Sequence, residues 1–380
     1  MSRLIIGPFN RVEGDLEVTL DVAGGVVRQA FVTAPLYRGF ERILLGRPPG
    51  DAVVIAPRIC GICSVSQSTA AVRALADLSG LPAPPNGRLA ADLVLACEVA
   101  ADHLSHFYLF FMPDFARATY AAKPWFPAAR RRFAALTGEA AREVPAARAR
   151  FLHLMGLLAG KWPHTLALQP GGTTKGVDGG EKMRLLSILA EFRSFLETRL
   201  FAAPLERIAA LDNADSLNAW AWEAPPEHGD FRLFLHLARD LGLDGLGRGS
   251  DLLMSSGAHA GLFKPGLWRN GQVAPLDLAA LTEDPACAWL SGGPRHPARG
   301  VTLPDADKPG AYSWAKAPRL DGQSVEVGAL ARQMVDGHPL LRALWAEAGS
   351  GTVLSRIVAR MVELARLLPA MEAWIHALRP

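Results

Sequence analysis

The sequence predicts a mainly helical α+β fold with a small N-terminal β-hairpin region. Two observations point to this class. Apolar residues recur at helical spacing over 64–241 and again over 329–378. The first 35 residues instead alternate apolar with polar side chains, as half-buried strands do. We therefore expect helices to form most of the fold and strands to be a minority.

The N-terminal part, residues 1–56, is predicted to be strand-rich. Apolar residues alternate with polar ones from Leu16 to Val22, Gly24-Gly25 supplies a turn, and 26–32 returns. This pattern is typical of an antiparallel β-hairpin. A further apolar run at 52–56 is interpreted as a strand.

The middle of the chain is predicted to be helical. An amphipathic helix covers Ser64 to Leu78, and Asn86 is expected to cap a long helix that runs to about Phe111 and ends before Pro113. Further helices are predicted over 146–160, 180–211 with a bend near Pro204, and 229–241.

Residues 242–318 are interpreted as an irregular excursion. It contains one hairpin signal, Asn270-Gly271 between two apolar flanks. The last segment repeats apolar residues at alternating spacings of three and four over 354–378, which predicts a buried bundle helix, kinked near Pro369, rather than a coiled coil for a partner. We expect the long helix near 86–111 to pack centrally against it.

Charge and hydropathy exclude several functions. The 40 basic and 37 acidic residues leave a formal charge of +3, which gives no footprint for nucleic acid. The N-terminal apolar run, Leu4 to Ile6, is too short for a signal-peptide core. The apolar stretch 104–113 is about half a membrane-spanning length. We expect a cytoplasmic protein without membrane insertion.

The most informative motif is Cys60-Gly-Ile-Cys63, on a predicted strand-to-helix turn. A helix N-terminus lowers the pKa of a thiol, and thiolates bind soft or borderline metals. The spacing alone leaves four readings open: a thioredoxin-like redox pair, half of a zinc site, another metal, or inert buried cysteines. Cys97 and Cys287 form no second pair and are predicted to be small buried hydrophobes.

Carboxylates and imidazoles provide further candidates. Asp102 and His106 share one face of the long helix, with His103 close by, so they could bind metal, relay protons or merely orient the helix. Glu13 and Glu41 each follow an arginine-containing turn and, taken alone, are most often solvated acids.

Taken together, six motifs resemble the large subunit of nickel-iron hydrogenases, in order and spacing, over essentially all 380 residues. They are Asn10-Arg11-Val12-Glu13-Gly14; Tyr37-Arg38-Gly39-Phe40-Glu41; Arg58-Ile-Cys60-Gly-Ile-Cys63; Asp102-His103 with His106-Phe107-Tyr108; Gly160-Lys161-Trp162-Pro163-His164 with Pro170-Gly171-Gly172; and Lys316-Ala317-Pro318-Arg319 with Glu326-Val327-Gly328. The resemblance implies the helical bundle of that family and heterolytic cleavage of dihydrogen.

The resemblance also implies a role for each thiol. Cys60 would be a terminal nickel ligand, and Cys63 would bridge nickel to an iron that carries cyanide and carbonyl ligands. Soft thiolates suit both metals. A thiolate would act as the base when dihydrogen is split, and Glu13 would then relay the proton.

Around these ligands the resemblance places a supporting set of residues. Glu41 would support a structural magnesium, and Asp102 would belong to a polar canopy over the metals. Ile62 and Phe110 would narrow the gas channel. His106 and Gln67 would lie behind the metal ligands and support them, and Gln67 stands where most family members have histidine.

With Ile62 and Phe110, Gln67 is typical of the regulatory, dihydrogen-sensing branch. That branch implies two partners, a small iron-sulfur subunit and a signalling histidine kinase.

The resemblance also has a gap. Family members continue to an arginine over the metals and a second Cys-x-x-Cys with a following histidine, and these motifs do not occur in the 380 residues. We therefore expect a single domain over 1–380 that is C-terminally incomplete and inactive alone. The alternatives are a hydrogenase assembly scaffold carrying an iron cofactor precursor, or an unrelated zinc- or thiol-based binding protein.

Overall fold

The computed structural model describes residues 2–9 and 14–380, which form two compact units. The smaller unit comprises residues 1–51 with 277–325, and the larger comprises 52–276 with 326–380. About half of the residues are helical and the sheets are small, so the predicted mainly α (α+β) class is confirmed. The single domain predicted over 1–380 stays a prediction.

Strands and helices alternate irregularly along the described residues. The strands are β1 (Ser2–Phe9), β2 (Leu16–Ala23), β3 (Val26–Thr33), β4 (Leu168–Gln169), β5 (Gly172–Thr173), β6 (Leu253–Ala258), β7 (Phe263–Arg269), β8 (Gln272–Ala274), β9 (Leu281–Asp284) and β10 (Ala317–Leu320). The helices are α1 (Phe40–Leu44), α2 (Ala52–Ile55), α3 (Ser64–Ser79), α4 (Pro85–Ser105), α5 (Phe126–Phe133), α6 (Ala140–Phe151), α7 (His153–Ala159), α8 (Gly179–Phe195), α9 (Leu205–Ala209), α10 (Ala214–Trp222), α11 (Asp230–Asp240), α12 (Ala329–Asp336), α13 (Pro339–Ala348) and α14 (Val353–Ala377).

The smaller unit contains an antiparallel sheet in the order β1-β2-β3. The predicted hairpin is β2-β3, turned by Gly24 and Gly25 with φ of 61° and 76°, a conformation that glycine adopts without strain. Strand β1 was not predicted; it extends the sheet by pairing Leu4 with Leu20. The antiparallel pair β9-β10 belongs to the same unit.

The larger unit is built on two long helices, α4 and α14, which pack against each other as predicted. Most of their length is buried, and α14 continues through Pro369. Around them lie α8, α9 and α12, while the sheet β6-β7-β8 packs on α12. The predicted hairpin is β7-β8, where Asn270 and Gly271 have φ of 50° and 79°. Residues 242–318 therefore divide between the two units.

Several predicted helix boundaries were wrong. Helix α4 begins at Pro85 with Pro84 as its N-cap, and the side chain of Asn86 instead hydrogen-bonds the backbone of Arg379. Helix α4 itself ends at Ser105, and helical turns continue past the predicted end near Phe111: a π-helical turn covers 106–111 and a 3-10 turn covers 112–116. The helix predicted over 146–160 is two helices, α6 and α7, and the one predicted over 180–211 is interrupted near Pro204 as expected.

The helical stretch 85–116 is long and apolar enough to cross a membrane by length and composition alone, yet 72% of its most apolar window is buried inside the fold. A core helix has the same properties.

Candidate metal centre

The two thiols of the Cys-x-x-Cys motif lie between helical segments of the larger unit. Helix α2 and a 3-10 turn at 56–58 precede them and α3 follows, so the predicted strand-to-helix turn is wrong. A short apolar run such as 52–56 fits either a strand or a helix. Cys60 and Cys63 are both half-buried free thiols, and they lie close enough for Cys60 to affect the pKa of Cys63.

Cys63 is the N-cap residue of α3, yet its pKa is not lowered as predicted. Burial, followed by the hydrogen bond and charge of Cys60, raises the pKa of Cys63 to about 11. Gln67 acts in the opposite direction, because its Nε2 donates a hydrogen bond to Cys63 Sγ at 3.2 Å. A metal that binds this pair must displace protons from it.

Glu98 occupies the N-terminus of α3 and adds to the rise in the pKa of Cys63, whose main causes are burial and Cys60. This residue of α4 is 4% exposed, and its carboxylate accepts hydrogen bonds from the backbone N–H groups of Val65 and Ser66, both at 2.9 Å. The positive end of the α3 dipole is therefore already compensated by a carboxylate. The charge of Glu98 raises the pKa of Cys63 further.

A loop from the Lys161-Trp162-Pro163-His164 motif packs on the thiol turn. Its Trp162 Nε1 donates to Glu98 at 3.0 Å, and the backbone N–H of His164 donates to Ser64 Oγ at 3.1 Å. His164 Nδ1 lies 2.9 Å from the carbonyl oxygen of Pro57. These contacts tie both sides of the Cys-x-x-Cys turn to one loop.

The predicted canopy residue Asp102 is exposed on α4 and lies in the field of two arginines. Burial lowers the pKa values of Arg148 and Arg360, and the charge of Asp102 opposes this lowering. His106 begins the π-helical turn, and burial, followed by Arg360 and His103, lowers its pKa to about 4. Its Nδ1 is buried without a hydrogen-bond partner among the described residues.

His103 lies in a buried cluster of charged and polar side chains. Its Nε2 lies 3.1 Å from Glu363 on α14, whose carboxylate also binds Arg332 of α12. This buried ion cluster joins three helices, so His103 orients the helix, which was one of the readings left open.

In the smaller unit, Glu41 lies beside a lysine. Lys316 Nζ is 3.9 Å from Glu41 Oε1 and 3.0 Å from Glu283 Oε2. Magnesium usually takes one or two carboxylates from a protein and keeps several waters. Glu41 can supply one such oxygen, and Glu283 lies across the lysine.

The structure gives fewer contacts for the other predicted site residues. Glu13 lies outside the described residues. Ile62 and Phe110 are 40% and 36% exposed. Cys97 is buried as predicted, but Cys287 is exposed, so its prediction as a buried hydrophobe was wrong. Cys287 lies in a loop two residues after Pro285, and its carbonyl oxygen accepts a hydrogen bond from the backbone N–H of Tyr312 at 3.0 Å.

The donor set fits part of a nickel-iron site. Two adjacent thiols are the soft donors that nickel and iron accept. Across residues 2–9 and 14–380, no group of three or more His, Cys, Asp and Glu side chains lies close enough to hold a metal ion. Within the described residues, the Cys-x-x-Cys turn therefore brings together two soft donors, Cys60 and Cys63.

The fold and this thiol pair define the class of protein. The family model described as "Nickel-dependent hydrogenase" matches residues 38–140 and 143–380. The chain belongs to this family, whose members are oxidoreductases acting on hydrogen. Large subunits of the family carry a nickel-iron centre and partner with a small iron-sulfur subunit.

Individual relatives narrow the comparison. The periplasmic [NiFeSe] hydrogenase large subunit of Desulfomicrobium baculatum is 27% identical over 372 residues, covering 90% of this chain and 67% of that protein. The Hydrogenase-2 large chain of Escherichia coli K12 is 35% identical over 107 residues, or 28% of this chain and 19% of its own length.

Among solved structures, the Ni-Fe-Se hydrogenase of D. vulgaris Hildenborough in the reduced state superposes with a TM-score of 0.79. It is 27% identical, and the alignment covers 100% of this chain and 79% of that one. The chain thus spans about two thirds of the length of its D. baculatum relative and under a fifth of the E. coli one.

Two residues of the site were missed from the sequence alone. Glu98 could have been noticed as a charge within an apolar helix stripe, four residues before Asp102. Glu363 gave a similar signal within the apolar repeat of the last helix. In both cases the partners are distant in sequence, so the role could not be read from spacing.

Proposed function

We propose that this chain is the large subunit of a nickel-iron hydrogenase and that Cys60 and Cys63 are thiolate ligands of its metal centre. The observation that carries the proposal is the pair of adjacent free thiols at the start of α3 in a member of this family. A bound nickel-iron centre would supply the heterolytic cleavage of dihydrogen. The further proposals are that Cys63 also bridges to iron, that the iron carries cyanide and carbonyl ligands, and that Glu41 supports magnesium.

Gln67 and Asp102 have definite tasks in this proposal. Gln67 donates to Cys63 Sγ at 3.2 Å, so it stabilises negative charge on that sulfur. Asp102 affects the pKa values of Arg148 and Arg360, and its place in a polar canopy over the metals is proposed from the resemblance. The relay of a proton by Glu13 is proposed from the resemblance alone.

A dihydrogen-sensing role is the finer part of the proposal. Its support is Gln67 at a position where most family members have histidine, together with Ile62 and Phe110. A signalling histidine kinase as partner depends on the same three residues and stays a prediction. So does a cytoplasmic location, and the D. baculatum relative is described as periplasmic.

Exposed large apolar side chains of the larger unit suggest where a small iron-sulfur subunit would bind. Val54, Ile62 and Leu109 are 44%, 40% and 39% exposed. We expect Ile62→Glu to weaken binding of such a subunit at least tenfold, because a charge would be buried in an apolar interface. Binding is measured by interferometry with the immobilised subunit.

Leu136→Glu is the matched control, since Leu136 is 90% exposed far along the chain from the thiols. Equal binding by both variants would rule out the face around Ile62, and a wild-type chain that binds no small subunit would contradict the partner proposal.

Metal retention tests the proposal directly. The resemblance implies four thiolates on nickel, and Cys60 and Cys63 are two of them. We expect the 380-residue chain alone to retain no stoichiometric nickel and to show no dihydrogen-dependent dye reduction. Losing two ligands should weaken binding by more than the ten- to hundredfold typical of an outer-shell change. Nickel is measured by elemental analysis after anaerobic reconstitution.

A second polypeptide that carries the family's other Cys-x-x-Cys should restore nickel binding and turnover, whereas the same polypeptide with serines in their place should not. Stoichiometric nickel and activity in the chain alone would show that other residues form the site.

The small number of protein ligands keeps an alternative function open, that of an assembly scaffold. A scaffold that carries an iron precursor of the cofactor needs fewer protein ligands, and the described residues contain no group of three or more His, Cys, Asp and Glu side chains that could hold a metal ion. Iron retained through Cys63 without nickel, even when the other thiolates are supplied, would favour the scaffold over the hydrogenase subunit.

A further inference from the structure

Glu98 is unusual because one buried carboxylate accepts four hydrogen bonds from two separate segments. Oε1 accepts from the N–H of Val65 at 2.9 Å and from Trp162 Nε1 at 3.0 Å. Oε2 accepts from the N–H of Ser66 at 2.9 Å and from Ser66 Oγ at 3.2 Å. The carboxylate therefore joins α4, the first turn of α3 and the loop that contains Trp162.

These contacts replace an ordinary helix cap. The N-cap position normally holds Ser, Thr, Asp or Asn, whose side chain accepts from the second or third N–H of the helix. Here the N-cap is Cys63, and no capping bond from its own side chain is found within residues 14–380. Glu98, 33 residues away from Val65, supplies the acceptor instead. The Cys63 sulfur therefore does not accept the capping hydrogen bond of α3.

The same carboxylate also fixes the other side of the thiol turn. Trp162 is held by Glu98, and two residues later His164 binds Ser64 Oγ and the carbonyl of Pro57. Pro57 and Ser64 flank the Cys-x-x-Cys segment. Release of Trp162 would therefore loosen both ends of the turn that sets the distance between the two sulfurs.

We propose that Glu98 is a positioning residue for the thiol pair: it caps α3 in place of Cys63, leaves that sulfur available to a metal, and anchors the loop that spans the turn. This inference rests on the proposed function in one respect only, the assignment of Cys60 and Cys63 as metal ligands. Glu98 itself contacts backbone, serine and tryptophan, so it acts through the thiols it positions.

The test uses Co²⁺ binding to the reduced 380-residue chain under anaerobic conditions, followed by thiolate-to-cobalt charge-transfer absorbance. We expect Glu98→Ala to weaken Co²⁺ binding 10- to 100-fold, the range typical of residues that support metal ligands. Glu98→Gln keeps one acceptor oxygen, so its Co²⁺ affinity should fall less. This variant can be measured in place of Glu98→Ala if the latter does not fold.

Asp178→Ala is the matched control. Asp178 caps α8 through the N–H of Glu181 in the same way, so its loss removes a helix cap without touching the thiols. Co²⁺ affinity should stay within twofold of the wild type. Equal affinities for Glu98→Ala and Asp178→Ala would overturn the proposal.

A double variant, Cys60→Ser with Cys63→Ser, separates this inference from the proposed function. If the double variant binds Co²⁺ as tightly as the wild type does, Cys60 and Cys63 are not the metal ligands. The positioning role of Glu98 is then tested by a measurement that needs no metal. Phenylarsine oxide bridges two thiols only when the sulfurs are close together. Its reaction should be at least tenfold slower in Glu98→Ala than in wild type or Asp178→Ala, and equal rates would overturn the proposal.

Discussion

Gly87→Ala should destabilise the larger unit by about 3 kcal/mol, at the upper end of what overpacking costs. A Cβ on Gly87 would lie 2.7 Å from the carbonyl oxygen of Gly171 and 3.2 Å from Cα of Gly172. Both contacts are with backbone, so no side chain can rotate away. The first turn of α4 would have to separate from the β4-β5 hairpin. The resulting loss of stability is measured as a lower urea midpoint of unfolding.

Gly156→Ala is the matched control, because Gly156 lies inside α7 and a Cβ there meets nothing within 4 Å. Alanine in a helix interior is favoured over glycine by about 1 kcal/mol, so this variant should be stabilised. Gly172→Ala should be at least as harmful as Gly87→Ala, because its Cβ would lie 2.6 Å from Gly87 Cα and its φ is +137°. If Gly87→Ala behaved like Gly156→Ala, the close approach would not exist.

The features predicted correctly from the sequence are those encoded locally. The hairpin turns at Gly24-Gly25 and Asn270-Gly271 carry their conformational preference in two residues, and α3, α11 and α14 carry theirs in a sustained helical repeat. Such signals need no knowledge of distant partners. The motif order, moreover, was specific enough to identify the family that the comparisons show.

The predictions that failed concern segments or groups whose state depends on distant contacts. Residues 52–55 are helical although a short apolar run fits either structure. Asn86 was predicted to cap α4, but its side chain hydrogen-bonds the backbone of Arg379, 293 residues later in the sequence. The thiol pKa of Cys63 is raised because Cys63 is buried beside Cys60, and Glu98 adds to this effect. Spacing along the chain contains none of this information.

Glu363 is the residue of the larger unit whose charge we expect to matter most for stability. It is fully buried on α14 and contacts His103 of α4 and Arg332 of α12. Glu363→Gln should lower the free energy of unfolding by about 3–5 kcal/mol, because removing one member of a buried ion cluster leaves the others uncompensated. Urea unfolding at pH 7 measures the loss.

Glu372→Gln is the matched control on the same helix. Glu372 pairs with Arg193 at 3.1 Å but its side chain is 32% exposed, and such pairs contribute about 0–1 kcal/mol. Similar losses in the two variants would show that Glu363 is not the stabilising member of a buried cluster.

The pH dependence gives this prediction a second measurement. Burial alone would raise the pKa of Glu363, but the hydrogen bond from His103 and the charge of Arg332 lower it from 4.5 to about 2. Such a carboxylate contributes about 3 kcal/mol above pH 4.5, and that contribution is lost as the pH falls from 4.5 towards 2.

Other charged groups must be separated from this effect. Arg360 lies in the field of Glu363, and His259 is also close. Burial lowers the pKa of His259 from 6.5 to about 4, so its contribution is present above pH 6.5 and is lost between pH 6.5 and 4. In Glu363→Gln, stability should therefore still decline between pH 6.5 and 4.5, but the steeper decline below pH 4.5 should be absent. A variant that retained the wild-type slope below pH 4.5 would show that another carboxylate is responsible for it.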